Sequence, residues 1–356
     1  MNAAVVLLSL VLALLALEGA IRLIAPQNLY PVSFADDPAV GHRYRPNIKG
    51  VTSTQEYRIR LETNSQGLRD EEHPVVKPPG TLRILAIGDS FTAGDGVELE
   101  QAFHQVLEER LSQASERGRY EAINAGVSGW GPSNGLAFLL SEGFRYSPDL
   151  LLVQVFVDHY NRDLSTGLFA LSEDGSLRRL PYEASETSNV RAMARRLPFY
   201  SYLAQNSHLL NIVRQQAVRA LWGRKQVQVR QEVASLSALS SQEPFKLSLA
   251  VLGGFDDYAK SQRIPWALII VAPWQQVMGE PRTPMEDQFY KALLHWARDR
   301  GVRVVDTAGI LKDQGDPRDY YHLKDGHFNV RGNRLMGDTL FRELGAELLA
   351  ASEADR

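Results

Sequence analysis

Five short apolar runs, at 83–87, 121–125, 149–157, 266–272 and 302–306, are each bounded by Gly, Asp or Pro. They alternate with stretches of helical period at about 100–113, 133–145, 245–262, 286–300 and 330–349. Strands that are apolar almost throughout have to be covered on both faces, and helices between successive strands supply that cover when the strands run parallel. The alternation therefore predicts an α/β domain over 81–349, a three-layer α/β/α sandwich around a central parallel sheet of about five strands. No internal repeat is visible. Composition agrees, since 44% hydrophobic and 23% charged residues exclude a disordered, collagen-like or multi-span chain. A net charge of −3 argues against a surface built to coat nucleic acid, and no nucleic-acid partner is expected. The absence of cysteine removes disulfides, thiolate nucleophiles and Cys-ligated metals, while leaving the compartment open. What remains is chemistry of Ser, His, Asp, Asn and backbone amides.

Residues 3–17 carry no charge and one serine, and the run extended to Ala25 is long enough to cross a bilayer as a helix. Glu18 and Arg22, four apart, can pair at its far end. Residues 1–25 are expected to be an uncleaved membrane anchor; a cleaved signal peptide and a buried core helix are the alternatives. Glu18 disfavours a small-x-small cleavage site, and no Lys or Arg precedes the run to orient it.

Residues 26–80 are rich in Pro and poor in helical period, with an extended-looking QEYRIRLETN (55–64) and a Pro-rich HPVVKPPG (73–80). They read as a small β segment and a linker outside the α/β core. The alternation breaks again at 164–244, a basic helical insertion. Between Arg191 and Arg230 stand seven Arg, one Lys and no Asp or Glu, and Leu210, Val213, Ala217 and Leu221 share one helical face. The insertion either packs on the domain or forms a lid, a membrane-surface contact or a site for an anionic polymer.

Three loops carry the candidate chemistry. The first strand ends in IGDSFTAGDG (87–96), which puts Ser90 at the carboxyl edge of the sheet, where open α/β sheets bind ligands; the alternative is that Ser90 only caps its helix. The second strand ends in NAGVSGWGPSN (124–134), glycine-rich enough for backbone to approach a ligand or simply to turn. Near the C-terminus stands DGHFNVRGN (325–333), with Asn329 as a plausible N-cap for the helix that follows. A serine hydroxyl needs a base to become a nucleophile, and His327 can be that base if Asp325 fixes its tautomer. No other His or carboxylate lies at ligand spacing, so no metal site is expected.

In this order and at these strand ends, IGDSFTAGDG, NAGVSGWG and DGHFNVRGN resemble the SGNH/GDSL hydrolases over about 81–349. SQGLRDEEHPVVKPPG (65–80) and the apolar N-terminus are similar to the membrane-associated bacterial branch. The resemblance implies a flavodoxin-like fold and an esterase or O-deacetylase acting on an acylated carbohydrate, a lipid or a small ester. It implies no cofactor, and a membrane-anchored domain outside the cytoplasm. Ser90 matches the nucleophile, His327 the general base, Asp325 its orienting acid, and Gly129 the glycine whose N–H joins that of Ser90 in the oxyanion hole. Two departures stand out. The acid–base spacing is D-x-H rather than D-x-x-H. In VFVDHYNRD (155–163), where the family has Gly-Asn-Asp, Val157, Asp158 and His159 stand instead. Asp158 thus aligns with the oxyanion-hole Asn, and an ionised carboxylate cannot donate there; Asn161 is the alternative amide. A binding or assembly protein of the same fold, and an acyltransferase sharing the acyl-enzyme step, are the alternative functions.

Overall fold

The computed structural model describes residues 3–115, 118–182, 193–194, 196–236 and 245–354. An apolar helix, Ala3–Ile24, leads into two antiparallel hairpins, β1 (Phe34–Asp37) with β2 (Gly41–Tyr44) and β3 (Lys49–Ser53) with β4 (Arg58–Glu62). The strands of the main domain follow as β5 (Thr81–Gly88), β6 (Arg119–Gly126) and β7 (Leu150–Phe156). A short hairpin, β8 (Phe169–Leu171) with β9 (Leu177–Arg179), opens the insertion, and β10 (Trp266–Val271) and β11 (Arg303–Asp306) complete the sheet.

All five expected strands form one parallel sheet in the order β11-β10-β7-β5-β6. Counted along the chain this is 2-1-3-4-5, the flavodoxin order, whose switch point lies between its first and third strands, here β5 and β7. Every residue of β5 and β10 is buried, which is why these strands read as unbroken apolar runs rather than as alternation. Helices Phe103–Ala114 and Val330–Ala354 pack together over β5 and β6. Helices Pro132–Ser141, Phe245–Gln262 and Pro284–Arg300 form the other layer. The last of these shows how local signals set helix ends. Thr283 and Glu286 form a capping box, Pro284 opens the first turn, and Gly301 at φ 68° closes the helix.

Residues 26–80 are built into the domain rather than lying outside its core. Val40, Tyr44, Leu61 and Leu68 join the main apolar cluster. The buried Arg69 guanidinium donates to the carbonyls of Ala93 (2.7 Å), Gly94 (2.6 Å) and Val97 (2.7 Å). Those carbonyls belong to the last residue of the short helix that begins at Ser90 and to the turn after it, so this segment braces the serine helix. A multidentate guanidinium leaves no periodic trace in sequence, which is why the linker reading misses it.

The insertion contains β8–β9, helix Tyr200–Asn206 and the 29-residue helix His208–Leu236. Of its expected apolar face, Leu210 is half-buried and Val213 and Ala217 are exposed, whereas Asn211 is buried with its amide on the carbonyls of Ala204 and Ser207, both at 2.8 Å. The Leu221 side chain lies outside the described residues.

Candidate active site

Ser90 is the first residue of the helix Ser90–Ala93, at the carboxyl end of β5. Asp89 caps that helix, its Oδ1 accepting the Phe91 N–H at 2.9 Å, and Gly94 at φ 79° ends it. The cap is therefore Asp89, which leaves the Ser90 hydroxyl for another partner. That partner is His327: its Nε2 lies 2.6 Å from Ser90 Oγ. On the other side of the imidazole, Nδ1 is bonded to Asp325 Oδ1. A carboxylate on Nδ1 places the proton there and leaves Nε2 to accept from the serine. The unusual D-x-H spacing works because the residue between is Gly326 at φ +89°, a left-handed turn that L side chains rarely adopt.

The loop carrying this couple is held from several directions. Tyr57 O–H donates to Asp325 Oδ2 at 3.1 Å. Glu56 Oε2 accepts the N–H groups of Lys324 (2.9 Å) and Asp325 (2.8 Å). Within the loop, His322 N–H donates to the His327 carbonyl at 2.8 Å. His322 Nε2 lies 3.0 Å from the Gly96 carbonyl, and its ring tilts against that of Tyr57.

Electrostatics favour the ion-paired form. Burial pushes the His327 pKa down, but Asp325, Asp95 and Asp89 outweigh it and leave the imidazole above its ordinary 6.5. Burial opposes ionisation of Asp325, yet His327 and the Tyr57 hydroxyl hold its pKa below the usual carboxylate range. Asp95, within the same GDS-bearing loop, accepts the Ser128 hydroxyl at 2.6 Å, and burial raises its pKa.

The loop after β6 runs beside the serine helix. Val127 N–H donates to the Gly88 carbonyl (3.1 Å), Ser128 N–H to Tyr44 Oη (3.2 Å), and Trp130 N–H to the Val127 carbonyl (3.0 Å). Gly129, between them, has φ +89°. Among the described residues, the N–H groups of Ser90 and Gly129 donate to no protein acceptor.

The segment after β7 is built differently from the family pattern. Asp158 precedes the helix His159–Thr166 without capping it, and its Oδ1 is buried with no partner. His159 turns inward: Nδ1 accepts the Phe156 N–H at 3.1 Å, so Nε2 is protonated and donates to Asp89 Oδ2 at 3.0 Å. Arg162 Nη1 stands 3.5 Å from the same oxygen. Burial works against ionisation of Asp89, but His159 and Arg162 hold its pKa below the usual range. Asn161 sits in the first turn of this helix, its N–H on the Asp158 carbonyl at 3.0 Å.

Sequence reasoning thus places Ser90, His327 and Asp325, which the fold brings into one hydrogen-bonded line, and Gly129 in the adjoining loop. It misses Glu56, Tyr57 and Asp95 around the couple, and the Asp89–His159 pair. Asp89 and Asp95 stand inside the quoted motif and His159 inside the third block; nothing in spacing marks Tyr57, 268 residues from Asp325.

A cleft of about 430 Å³, lined by Pro26, Gln27, Asn28, Tyr30, Gln55 and Gln215, adjoins this loop: Gln55 precedes Glu56, and Lys324 Nζ donates to its side chain at 2.8 Å. The Tyr30 pKa is raised by burial, against the Asn28 hydrogen bond, with Asp325 and Asp95 adding to the rise. No cluster of three or more potential His, Asp or Glu metal ligands occurs among the described residues.

No family model and no curated protein matches the chain. Among solved structures it is similar to a psychrotrophic esterase from Pseudoalteromonas sp., at 15% identity and a TM-score of 0.41, covering 75% of this chain and 98% of that one. An acetylxylan esterase from Geobacillus stearothermophilus matches at 15% identity and a TM-score of 0.43, over 74% of this chain and 94% of that one. A G-D-S-L family protein assigned as lipolytic, from Desulfitobacterium hafniense, matches at 15% identity and a TM-score of 0.38, over 73% and 98%. The chain is similar, at low identity, to structures that include G-D-S-L proteins and acetylxylan esterases.

Proposed function

We propose that this chain is a serine ester hydrolase of SGNH/GDSL type, anchored in a membrane through residues 3–25 with its globular domain outside the cytoplasm. One observation carries the catalytic reading: the continuous line Asp325–His327–Ser90, with 2.6 Å between His327 Nε2 and Ser90 Oγ. In the proposed reaction Ser90 Oγ attacks the acyl carbon while its proton passes to His327 Nε2. The tetrahedral oxyanion is met by the N–H groups of Ser90 and Gly129. The leaving alcohol takes the proton from His327, and a water, deprotonated by the same nitrogen, then releases the acid and restores Ser90. Asp325 stays ionised throughout and stabilises the imidazolium.

For the substrate, an acylated carbohydrate fits better than a long acyl lipid. The cleft that meets the Asp325 loop through Gln55 and Lys324 is lined by three glutamines, an asparagine, a tyrosine and Pro26, and its amides suit hydroxyl groups better than an alkyl chain. Asp158 favours a second reading, a weakly active binding protein of the same fold, because a carboxylate with one buried, unpartnered oxygen stands where the family resemblance expects the oxyanion-hole amide. Labelling with a fluorophosphonate separates the two. Wild type labelled and Ser90→Ala unlabelled supports the enzyme, and failure of the wild type to label overturns it. Acetate release from O-acetylated oligosaccharides, set against long-chain acyl esters, tests the substrate class.

A further inference from the structure

The apolar helix Ala3–Ile24 has no buried residue, and it is tied near its end to the insertion. Glu18 accepts the N–H groups of His208 and Leu209, both at 2.9 Å, and the Ser207 hydroxyl at 2.8 Å, so it caps the helix His208–Leu236. Arg22 pairs with Glu18 at 2.7 Å and donates to the Asn206 carbonyl at 2.5 Å. Glu18 lies six residues before Ile24, roughly 9 Å along the helix axis. The uncharged run of that helix ends at Leu17, so wherever it enters a bilayer, residues 206–209 are held by Glu18 and Arg22 at its first charged turn, where headgroups begin.

Immediately before them in the chain comes a run that a water-facing loop does not explain. Leu197, Phe199 and Tyr202 are 61%, 78% and 66% exposed, and Met193 and Leu203 are exposed as well. Phe199 takes φ +62°, a left-handed conformation that is costly for a bulky residue and that here accompanies its ring's exposure. In sequence this patch lies in a one-signed stretch, with seven Arg, one Lys and no Asp or Glu from Arg191 to Arg230, and Arg196 directly precedes Leu197. Aromatic and aliphatic side chains with basic neighbours, held at headgroup level, match the interface of a bilayer containing anionic lipid.

We propose that the segment 196–203 rests in the membrane interface, with Leu197, Phe199 and Tyr202 among the lipids, so that the catalytic domain is held at two points rather than swinging on its anchor. The proposal depends on the anchor reading of residues 3–25. The absence of cysteine makes the test direct. Single Leu12→Cys, Phe199→Cys, Tyr202→Cys and Val76→Cys variants of the full chain carry a fluorophore in phosphatidylcholine–phosphatidylglycerol nanodiscs, with spin-labelled lipids as quenchers. The Leu12 label should be quenched by lipids labelled deep in the chain. The Phe199 and Tyr202 labels should lose about half or more of their emission to lipids labelled near the headgroup, while the Val76 label should not change. A quenched Leu12 label with unquenched Phe199 and Tyr202 labels overturns the interfacial contact and leaves the anchor standing. Phe199 and Tyr202 labels shielded from aqueous iodide yet unquenched by lipid also overturn it, by showing protein rather than lipid on the patch. An unquenched Leu12 label overturns the anchor itself.

Discussion

The Asp325–His327 and Asp89–His159 couples use the same two residue types at the same serine, one bonded to Ser90 itself and the other to the residue before it, yet they differ in access. The His327 and Asp325 side chains keep 21% and 11% of their surface, whereas those of His159 and Asp89 keep 1% each. An imidazole that touches both the serine and open space can pass a proton to a leaving group. One enclosed by Phe156 N–H on one nitrogen and a carboxylate on the other has nowhere to send it. On the proposed mechanism the same chemistry serves transfer in one place and support in the other, with burial separating the two.

The sharpest way to break this comparison is to remove one histidine at a time. His327→Ala and Ser90→Ala should each lower kcat about 10³-fold or more, with little further loss in the double variant, because the two act as a unit. Additive losses would show that they do not. His159→Ala should instead act on the fold, since it leaves the buried Asp89 Oδ2 with only Arg162, at 3.5 Å; a loss of about 3–5 kcal/mol in urea denaturation is expected. An unchanged midpoint would mean that the buried couple supports nothing.

A smaller effect concerns the third strand end. If Asn161 supplies an oxyanion donor, Asn161→Ala should cost about 10²-fold in kcat while Asp158→Asn changes little. If Asp158 itself occupies the hole, Asp158→Asn should raise turnover at neutral pH. Neither variant changing the rate would remove this strand end from the hole. The smallest effect is a shift in pH profile. His327 acts as a base only when neutral, and its pKa lies above 6.5, so kcat/KM on an aryl acetate should rise with pH through an inflection above that value. Asp95 is one of the charges raising it, so Asp95→Asn should move the inflection downward; an upward move or none would separate Asp95 from the base.

What was legible in the sequence follows from what leaves a local signature. A strand buried on both faces is apolar at every position, so β5, β7 and β10 announce themselves, and their alternation with helices implies a parallel sheet. Ser90 and the Asp325–His327 pair sit at loops where Gly94 and Gly326 mark turns that need positive φ. Contacts made across the chain have no such signature. Glu56 and Tyr57 reach the triad from a hairpin turn, Arg69 braces the serine helix through backbone carbonyls, and Glu18 caps a helix that starts 190 residues later. His159 stands out in sequence only against the pattern of the SGNH/GDSL hydrolases that the chain resembles, and its inward turn onto Asp89 depends on burial, which spacing does not encode.

The bracing by Arg69, Glu56 and Tyr57 has a consequence for the continuity of the polypeptide. Val76 is exposed in the Pro-rich stretch between these residues and β5. A protease cutting there would sever the backbone but none of the contacts described around Asp325 and the Ser90 helix. The nicked protein should migrate as two bands under denaturing conditions and still behave as one active particle in buffer. Neither piece alone holds both Arg69 and Ser90, so activity should vanish when the fragments are parted and return when they are mixed again.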